Sequence, residues 1–440
     1  MTLRFGTDGV RAEALTVLTT DYVASLTHAA AKVLGGGQWL IGRDPRESGP
    51  ALEAAAMSGL SMAGADPHSL GVLPTPALAW MSANRGLPAV VITASHNPWH
   101  DNGIKIFAAG GQKLSNEVER AIEAALDRTV RATTKATARA TAVAVAHEDV
   151  LDEYVAHIVG LGRPLDGLRV VLDCGNGATF AAAPAVFRGL QSGVVVIHDT
   201  PDGRNINDDC GATNTASLAH AVIAHEADLG LAFDGDGDRV IAVDHRGQAI
   251  DGDRMIALAA LQLRDEGALQ ADTVVVTVMS NLGFHKAMEA AGVRVVTTAV
   301  GDRYVLEALA AGGYSIGGEQ SGHIIYRDLA TTGDGLLAGL RLAQFVHESG
   351  RPLAELADEV MTTYPQVLVN VKVRDRHPQV AEELADDIAS ADRALGGEGR
   401  VLVRASGTEP LIRVMVEART QAAAQRVADE LALTVLRQFG

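Results

Sequence analysis

The sequence predicts an α/β protein of several domains, with a smaller α+β domain at the C-terminal end. Its 440 residues exceed the length that one hydrophobic core usually supports, so we expect three or four domains. A hydrophobic fraction of 47% together with 46 glycines is typical of a compact, loop-rich fold rather than of a disordered chain. Near the N-terminus, short apolar runs alternate with alanine-rich stretches, which indicates strands alternating with helices.

The first predicted domain spans residues 1–150. Its alanine-rich stretches indicate helices and its short apolar runs indicate strands, and these elements are helices 22–34 and 51–63 and strands 39–42 and 88–92. The stretch 129–145 is rich in alanine and threonine and carries only basic charges. We interpret this stretch as a weakly specified loop or linker.

Two further α/β domains are predicted over 151–250 and 251–366. Apolar runs and one helical stretch mark them, namely strands 169–173, 228–233, 240–243 and 273–278 and helix 255–264. The last domain covers 367–440, and its elements in order are strand 367–373, helix 378–391, strands 400–404 and 411–418 and helix 421–439. This βαββα order predicts a small α+β domain.

The net charge and the cysteine content indicate which binding partners and which cellular compartment to expect. A formal charge of −17, from 37 basic and 54 acidic residues, argues against nucleic acid or an anionic membrane as a partner. Cys174 and Cys210 form no CxxC pair, which favours a reducing compartment. The N-terminus lacks the apolar segment of a signal peptide, and no apolar run approaches about 18 residues. We therefore expect a cytoplasmic protein.

The most informative segment is TASHNP, residues 93–98, which follows the buried strand predicted at 88–92. Open α/β sheets bind ligands at the carboxyl ends of their strands, so Ser95 is a candidate nucleophile or phosphate carrier. Alternatively, Ser95 only caps the next helix or turn. Lys105 follows in the same segment and is one of only six lysines in the chain, so chance is a poor explanation for a lysine at this position.

The acidic run DGDGDR, residues 234–239, lies between two strand-like segments. Asp234, Asp236 and Asp238 alternate with glycine and can surround one hard divalent cation, which favours Mg²⁺. A solvated turn is the weaker alternative, because three clustered carboxylates repel one another without a cation. An EF-hand loop needs glycine at its sixth position and an acid at its twelfth, but Arg239 and His245 stand there.

The turn after strand 169–173 contains two glycines but does not match a nucleotide-binding motif. The third glycine of G-x-G-x-x-G would fall at Phe180, and the chain contains no P-loop sequence. We therefore expect only a tight strand-to-helix turn there.

Three further polar loops are ambiguous when each is considered alone. Residues 317–323 suit sugar hydroxyls, with His323 as a candidate proton shuttle, or they form a glycine-rich turn. Residues 404–410, with Arg413 beyond them, form either an anion cradle or an ordinary hairpin. Residues 5–11 are a candidate loop for presenting Arg11 to a phosphate.

Taken together and in this order, the five segments resemble the α-D-phosphohexomutase family over nearly the full length. The specific motifs are TASHNP, DGDGDR, GEQSGH and RASGTEP. FGTDGVR near the N-terminus and Gln320 resemble the branch of the family that acts on glucosamine phosphates. The resemblance implies three similar mixed-sheet α/β domains around a central cleft and a mobile C-terminal α+β lid.

The resemblance also implies a role for individual residues. Ser95 would carry a phosphoryl group, and Asp234, Asp236 and Asp238 would hold one Mg²⁺ per subunit together with an oxygen of phosphorylated Ser95. The remaining implied catalytic residues are Arg11, Lys105 and His323, with Lys105 and His323 as alternative general bases. The implied substrate-binding residues are Arg239, Glu319, Ser321, Arg404, Ser406, Gly407, Thr408 and Arg413.

The implied reaction interconverts glucosamine 6-phosphate and glucosamine 1-phosphate, an intramolecular phosphotransfer of the isomerase class. A hexosamine 1,6-bisphosphate would serve as intermediate and activator, and the product would feed UDP-N-acetylglucosamine and cell-wall synthesis. The alternatives are a mutase for glucose or mannose phosphates and a non-catalytic sugar-phosphate sensor. Small-molecule sugar phosphates are the expected partners, and a homodimer is one option for the assembly.

Overall fold

A computed structural model describes residues 3–132, 143–144, 147–406 and 410–440. Within the described residues the chain forms two compact units. The first unit comprises Met1–Met279 and Gly292–Val360, and the second comprises Ser280–Ala291 and Met361–Gly440. The first unit contains three mixed sheets, and the second contains one antiparallel sheet.

The first mixed sheet has the strand order β1-β5-β4-β2-β3-β7, with β6 paired to β5. Strands β4, β2, β3 and β7 are parallel, and β5 runs antiparallel to β4 and β1. The elements are β1 (Val10–Glu13), α1 (Thr20–Leu34), β2 (Gly37–Arg43), α2 (Gly49–Met62), β3 (Ala65–Val72), α3 (Thr75–Arg85), β4 (Ala89–Ile92), β5 (Asp101–Ala108), β6 (Gln112–Lys113), α4 (Asn116–Ala132) and β7 (Val143–Ala144). Every residue of β4 is buried, as its unbroken apolar run predicts.

The second mixed sheet has the order β12-β11-β10-β8-β9. Strands β9, β8 and β10 are parallel, and β11 and β12 add antiparallel strands at one edge. The elements are α5 (His147–Gly160), β8 (Arg169–Asp173), α6 (Ala182–Gly189), β9 (Gly193–Ile197), α7 (Ala216–Ala224), β10 (Leu229–Phe233), β11 (Val240–Asp244) and β12 (Ala249–Ile250).

The third mixed sheet has the order β14-β13-β15-β16, in which only β16 is antiparallel to its neighbour. The elements are α8 (Gly252–Asp265), β13 (Thr273–Thr277), β14 (Arg294–Thr298), α10 (Asp302–Gly312), β15 (Ile316–Gly318), β16 (Ile324–Tyr326), α11 (Gly335–Ser349) and α12 (Leu353–Val360), while α9 (Leu282–Ala290) belongs to the second unit. These three sheets confirm the prediction of similar α/β domains.

The C-terminal part of the second unit has an antiparallel sheet in the order β17-β19-β18. The elements are β17 (Gln366–Lys372), α13 (Val380–Glu383), α14 (Ala385–Ala394), β18 (Gly399–Ala405), β19 (Leu411–Ala418) and α15 (Gln421–Phe439). The α+β prediction is confirmed, but the single helix predicted over 378–391 is wrong. Two helices form instead, because Leu384 between them has a non-helical ψ of 16° and is buried in the core of this unit.

The loop predicted over 129–145 is also wrong at both ends. Helix α4 continues to Ala132, as the high helix propensity of alanine allows, and Val143–Ala144 pairs in parallel with β3. The middle of this stretch lies outside the described residues. Among the described residues, no helix is both long and apolar enough to cross a membrane.

Candidate active site

Three of the sequence motifs occupy the same topological position in the three mixed sheets. In each sheet, the motif connects a parallel strand to its antiparallel neighbour. TASHNP follows β4 and precedes β5, DGDGDR connects β10 to β11, and the GEQSGH loop connects β15 to β16. The repeated sheet plan therefore brings side chains from three distant sequence segments to one place.

Ser95 is fully buried at the end of β4, and its hydroxyl faces the acidic loop. Its Oγ donates to Asp234 Oδ2 at 2.6 Å and accepts from Arg239 Nη1 at 2.7 Å. His96 Nδ1 lies 3.3 Å from the same hydroxyl. The next element after the Ser95 loop is strand β5 and not a helix, so the alternative that Ser95 caps a helix is wrong, although Ser95 does lie in a turn. The hydroxyl instead lies between a carboxylate and a guanidinium.

The carboxylates of Asp234, Asp236 and Asp238 offer ligand atoms that lie within 4.8 Å of one another. All three side chains are buried. Close packing explains the intervening glycine at 235, because a Cβ there would lie 2.6 Å from the carbonyl oxygen of Ser95. Asp236 Oδ1 and Asp238 Oδ1 are buried and have no hydrogen-bond partner among the described residues. Unpartnered carboxylate oxygens of this kind fit a hard divalent cation.

Burial and the mutual repulsion of the carboxylates perturb the ionisation of this cluster. Burial, reinforced by Asp238 and Asp236, raises the pKa of Asp234 to about 7. Simultaneous ionisation of all three carboxyl groups is therefore unfavourable unless cations lie nearby.

Lys105 on β5 is the nearest such cation. Its Nζ donates to Asp236 Oδ2 and Asp238 Oδ2, both at 2.8 Å, and lies 2.9 Å from Asp8 Oδ2. Burial alone would lower the pKa of Lys105, but these three carboxylates raise it well above its ordinary value. Lys105 is thus held as an ammonium that offsets part of the negative charge of these carboxylates.

The contacts of Lys105 continue through a closed ring in which basic and acidic side chains alternate. Lys113 Nζ contacts Asp8 Oδ1 at 2.6 Å and also pairs with Asp302. The buried imidazole of His323 lies 3.4 Å from Asp302 on one side and 3.4 Å from Asp238 on the other. The ring joins the first, second and third α/β domains, and it places His323 behind the carboxylates of the candidate metal site.

Arg11 and Arg239 line a cleft of about 400 Å³, together with His96, Asp302 and Glu319. Arg11 pairs with Asp8. Arg239 Nη1 lies 2.7 Å from His96 Nδ1, and burial, Arg239 and Arg11 lower the pKa of His96 to about 4. A neutral His96 beside two guanidinium groups leaves this wall of the cleft cationic, which suits a phosphate.

The residues of the GEQSGH loop differ in burial and in the groups that they contact. Glu319 Oε1 accepts a hydrogen bond from Gly301 N at 3.0 Å at the wall of the cleft. Ser321 is exposed. His323 is fully buried in the charged ring described above. The loop therefore brings Glu319 to the cleft and His323 to the carboxylates.

In the second unit, Arg404 on β18 stands directly opposite Arg413 on β19. Burial, reinforced by Arg413, lowers the pKa of Arg404. Ser406 is buried, whereas Gly407 and Thr408 lie outside the described residues. Two like charges on facing positions repel each other unless an anion lies between them, so this pair is a candidate anion contact.

The turn after β8 is the tight turn that the sequence predicts. Gly175 has a φ of +56°, and its N–H donates to Asp173 Oδ1 at 2.9 Å. Asp173 also lies in a cluster with His198 and Cys210, but its second oxygen accepts from Gly211 N at 3.0 Å. These contacts organise the loop.

Sequence reasoning assigned no role to Asp8, Lys113, Asp302 or His96, which the structure places at the site. Asp8 and His96 lie inside motifs that were noted for other residues. Lys113 carries a signal that could have been used, because it is one of only six lysines. Asp302 carries none, since it is one of many acidic residues and follows no recognised motif.

Comparison with known proteins agrees with this arrangement. Sequence models described as phosphoglucomutase/phosphomannomutase match in four successive parts: alpha/beta/alpha domain I at residues 2–132, domain II at 152–247, domain III at 251–364 and the C-terminal domain at 368–434. The chain belongs to the α-D-phosphohexomutase family. The domain boundaries proposed above, at 150, 250 and 366, stay predictions.

Relatives of this phosphohexomutase are similar to it over almost its whole length. The phosphoglucosamine mutase of Rhodococcus opacus (strain B4) is 52% identical over 440 residues, with 98% of each chain covered. That of Saccharopolyspora erythraea is 53% identical over 441 residues, also with 98% of each covered. A crystal structure of a phosphoglucomutase/phosphomannomutase family protein from Burkholderia thailandensis is 26% identical, with a TM-score of 0.81 and coverage of 98% of this chain and 97% of that one.

Proposed function

We propose that this phosphohexomutase interconverts glucosamine 6-phosphate and glucosamine 1-phosphate. Sequence identity of 52% and 53% to two phosphoglucosamine mutases, over 98% of the chain, supports this choice of sugar. The observation that carries the chemistry is the Ser95 hydroxyl, held between Asp234 Oδ2 and Arg239 Nη1 at 2.6 and 2.7 Å. A buried hydroxyl next to a carboxylate cluster and a guanidinium is suited to carry a phosphoryl group.

In the proposed cycle, phosphorylated Ser95 donates its phosphoryl group to the free hydroxyl of a hexosamine monophosphate. A bond forms between phosphorus and the sugar oxygen, the bond to Ser95 Oγ breaks, and the hydroxyl proton leaves to a base. The resulting 1,6-bisphosphate reorients and returns its other phosphoryl group to Ser95. The enzyme regains its phosphoserine, and the net change is isomerisation.

Asp234, Asp236 and Asp238 would hold Mg²⁺. When bound, Mg²⁺ neutralises the charge on the oxygens of the transferring phosphoryl group. Arg239 contributes a second cation to the same oxygens, since its Nη1 already contacts Ser95 Oγ. Lys105 limits the repulsion among the carboxylates, and its contacts with Asp236 and Asp238 place it among them rather than beside Ser95.

The sugar phosphate would occupy the cleft in front of Ser95. Arg11 and Arg239 supply cationic contacts there, and Glu319 supplies an acceptor for ring hydroxyls. Ser321 on the same loop, and Arg404, Ser406, Gly407, Thr408 and Arg413 of the C-terminal domain, are carried over from the family motifs as further substrate contacts. Lys105 and His323 stay the two candidate bases, and Lys105 would first have to lose the proton that its three carboxylate contacts favour.

Two alternative functions differ from this proposal in the sugar or in catalysis itself. A mutase for glucose or mannose phosphates would use the same Ser95 and the same candidate metal site and would differ in its preferred sugar. A sugar-phosphate sensor would not need a phosphoryl carrier, yet Ser95 and all three carboxylates are in place.

We also propose a cytoplasmic role in supplying amino-sugar precursors of the cell wall.

The test is turnover of glucosamine 1-phosphate by wild type and by Ser95→Ala, with Ser25→Ala as the control for a lost serine hydroxyl at a half-buried helical position. We expect turnover to be lost in Ser95→Ala and kept in Ser25→Ala. Glucosamine phosphates should exceed glucose phosphates in kcat/KM, because a site that binds a substrate group penalises its absence. Activity in Ser95→Ala would overturn the reaction, and a preference for glucose 1-phosphate would overturn the sugar.

A further inference from the structure

Arg46, which lies in the short loop between β2 and α2, is buried completely beneath the Ser95 loop. Its Nη2 donates to the carbonyl oxygens of Ser95 at 2.9 Å and Asn97 at 2.8 Å. Its Nη1 donates to the carbonyl oxygens of Asp101 at 3.1 Å and of Pro98. Four main-chain carbonyl groups of one loop therefore converge on a single guanidinium.

The guanidinium also closes a network around the backbone of Ser95. Arg46 Nε donates to Asp44 Oδ2 at 2.8 Å, and the same oxygen accepts from Thr93 Oγ1 at 2.6 Å. Thr93 Oγ1 in turn accepts from Ser95 N at 2.8 Å. The N–H and the C=O of Ser95 are thus bound to the two ends of one buried chain of hydrogen bonds.

A residue of the second α/β domain contacts the same carbonyl group. Asn207 Nδ2 donates to Ser95 O at 2.9 Å and to Asn97 O at 3.2 Å. The Ser95 carbonyl oxygen therefore accepts from two side chains that are 161 positions apart in sequence and lie in different domains.

Ser95 has a φ of +55°, in the left-handed region that L residues seldom occupy. Such a conformation persists only where the surroundings over-determine it, and it occurs at functional sites. We infer that Arg46 and Asn207 are positioning residues that hold Ser95 in this conformation and so direct its hydroxyl at Asp234 and Arg239. The inference rests on the proposed phosphoryl transfer through Ser95.

The two donors differ in what their loss should do. Arg46→Lys keeps the charge but cannot reach four carbonyl groups with one planar fork. A displacement of about 1 Å at a reacting group can cost about 100-fold in rate, so we expect phosphorylation of Ser95 to slow about 100-fold. Asn207 has a φ of +57°, so Asn207→Gly removes the amide without adding strain, and a slowing of about tenfold is expected.

The experiment follows the rate at which Ser95 gains a phosphoryl group from glucose 1,6-bisphosphate, measured by intact mass in rapid-quench samples. Binding of glucosamine 6-phosphate, measured by calorimetry, should change less than about threefold, because neither side chain lines the cleft. Arg43→Lys is the matched control, since Arg43 ends the strand that leads to Arg46, pairs with Glu53 at 2.9 Å and donates to the main-chain oxygen of Asp44 at 3.3 Å rather than to the Ser95 loop. Circular dichroism checks that each variant is folded.

A slow phosphorylation step with near-normal binding in both folded variants would support the inference. Wild-type phosphorylation rates in Arg46→Lys and Asn207→Gly, or in Asn207→Gly alone if Arg46→Lys does not fold, would overturn it. If wild type itself gains no phosphoryl group at Ser95, the proposed function fails, which is a separate result. Equal slowing in Arg43→Lys would also contradict the inference, because it would indicate general damage to this segment.

Discussion

Replacement of Lys105 by methionine tests whether the acidic loop depends on a cation. Methionine keeps a similar length but removes an ammonium that lies 2.8, 2.8 and 2.9 Å from three carboxylates. Removing one partner of a buried ion pair typically costs about 3–5 kcal/mol, because the other charge is left unpaired. We expect the free energy of unfolding of the first unit to fall by about that amount in the presence of a chelator.

Added Mg²⁺ should reverse part of this loss. A ligand at about 100 times its dissociation constant stabilises the folded state by about 2.7 kcal/mol. Since the carboxylates of Lys105→Met have lost their ammonium, Mg²⁺ should bind them more tightly than in wild type and stabilise the variant more.

The assay is urea unfolding monitored by circular dichroism, with chelator and then with Mg²⁺. Lys32→Met is the control, because Lys32 is exposed and, within the described part of the chain, donates to the carbonyl oxygen of Ala63 at 3.0 Å and to no carboxylate. It should change stability by less than about 0.5 kcal/mol. A Lys105→Met protein that is as stable as wild type in chelator would refute the charge argument.

Three further predictions concern other parts of the molecule. Gly235→Ala should lower the free energy of unfolding by about 1–3 kcal/mol and also lower kcat, because the new Cβ would lie 2.6 Å from the Ser95 carbonyl oxygen. Wild-type stability and turnover in this variant would contradict this. Burial raises the pKa of Asp334 from 3.8 to about 6, so its contribution to stability is present below pH 3.8 and is lost as the pH rises through 6. Stability should therefore fall from pH 4 to pH 8 by about 3 kcal/mol more in wild type than in Asp334→Asn, and parallel pH profiles would contradict this. Arg404→Ala should raise KM for sugar phosphates several-fold while relieving repulsion with Arg413, and an unchanged kcat/KM would place the distal phosphate elsewhere.

Local patterns predicted the parts of the site that lie within one segment. The apolar run before Ser95 forms a fully buried strand, and the alternation of aspartate and glycine forms a carboxylate cluster. Both depend on contacts between near neighbours, so residue type and spacing contain the necessary information.

Contacts between distant segments could not be predicted in this way. Lys113 and Asp302 are 189 positions apart, and their pairing depends on how the first and third α/β domains pack. Arg46 likewise resembles an ordinary surface arginine in sequence, yet it is fully buried beneath the Ser95 loop. The equivalent positions of three motif loops become visible only when the strand orders of the three sheets are compared.

The central claim is that Ser95 carries the phosphoryl group that reaches the sugar. The most direct measurement isolates the phosphoenzyme with an isotopically labelled phosphoryl group, maps the label by mass spectrometry, and mixes the protein in a single turnover with glucosamine 6-phosphate and Mg²⁺. The account predicts one labelled phosphoryl group on Ser95, which passes to the sugar and is recovered in glucosamine 1-phosphate, while Ser95 regains an unlabelled phosphoryl group from the 6-position. A label on another residue, or a label that stays on Ser95 while glucosamine 1-phosphate accumulates, would contradict it.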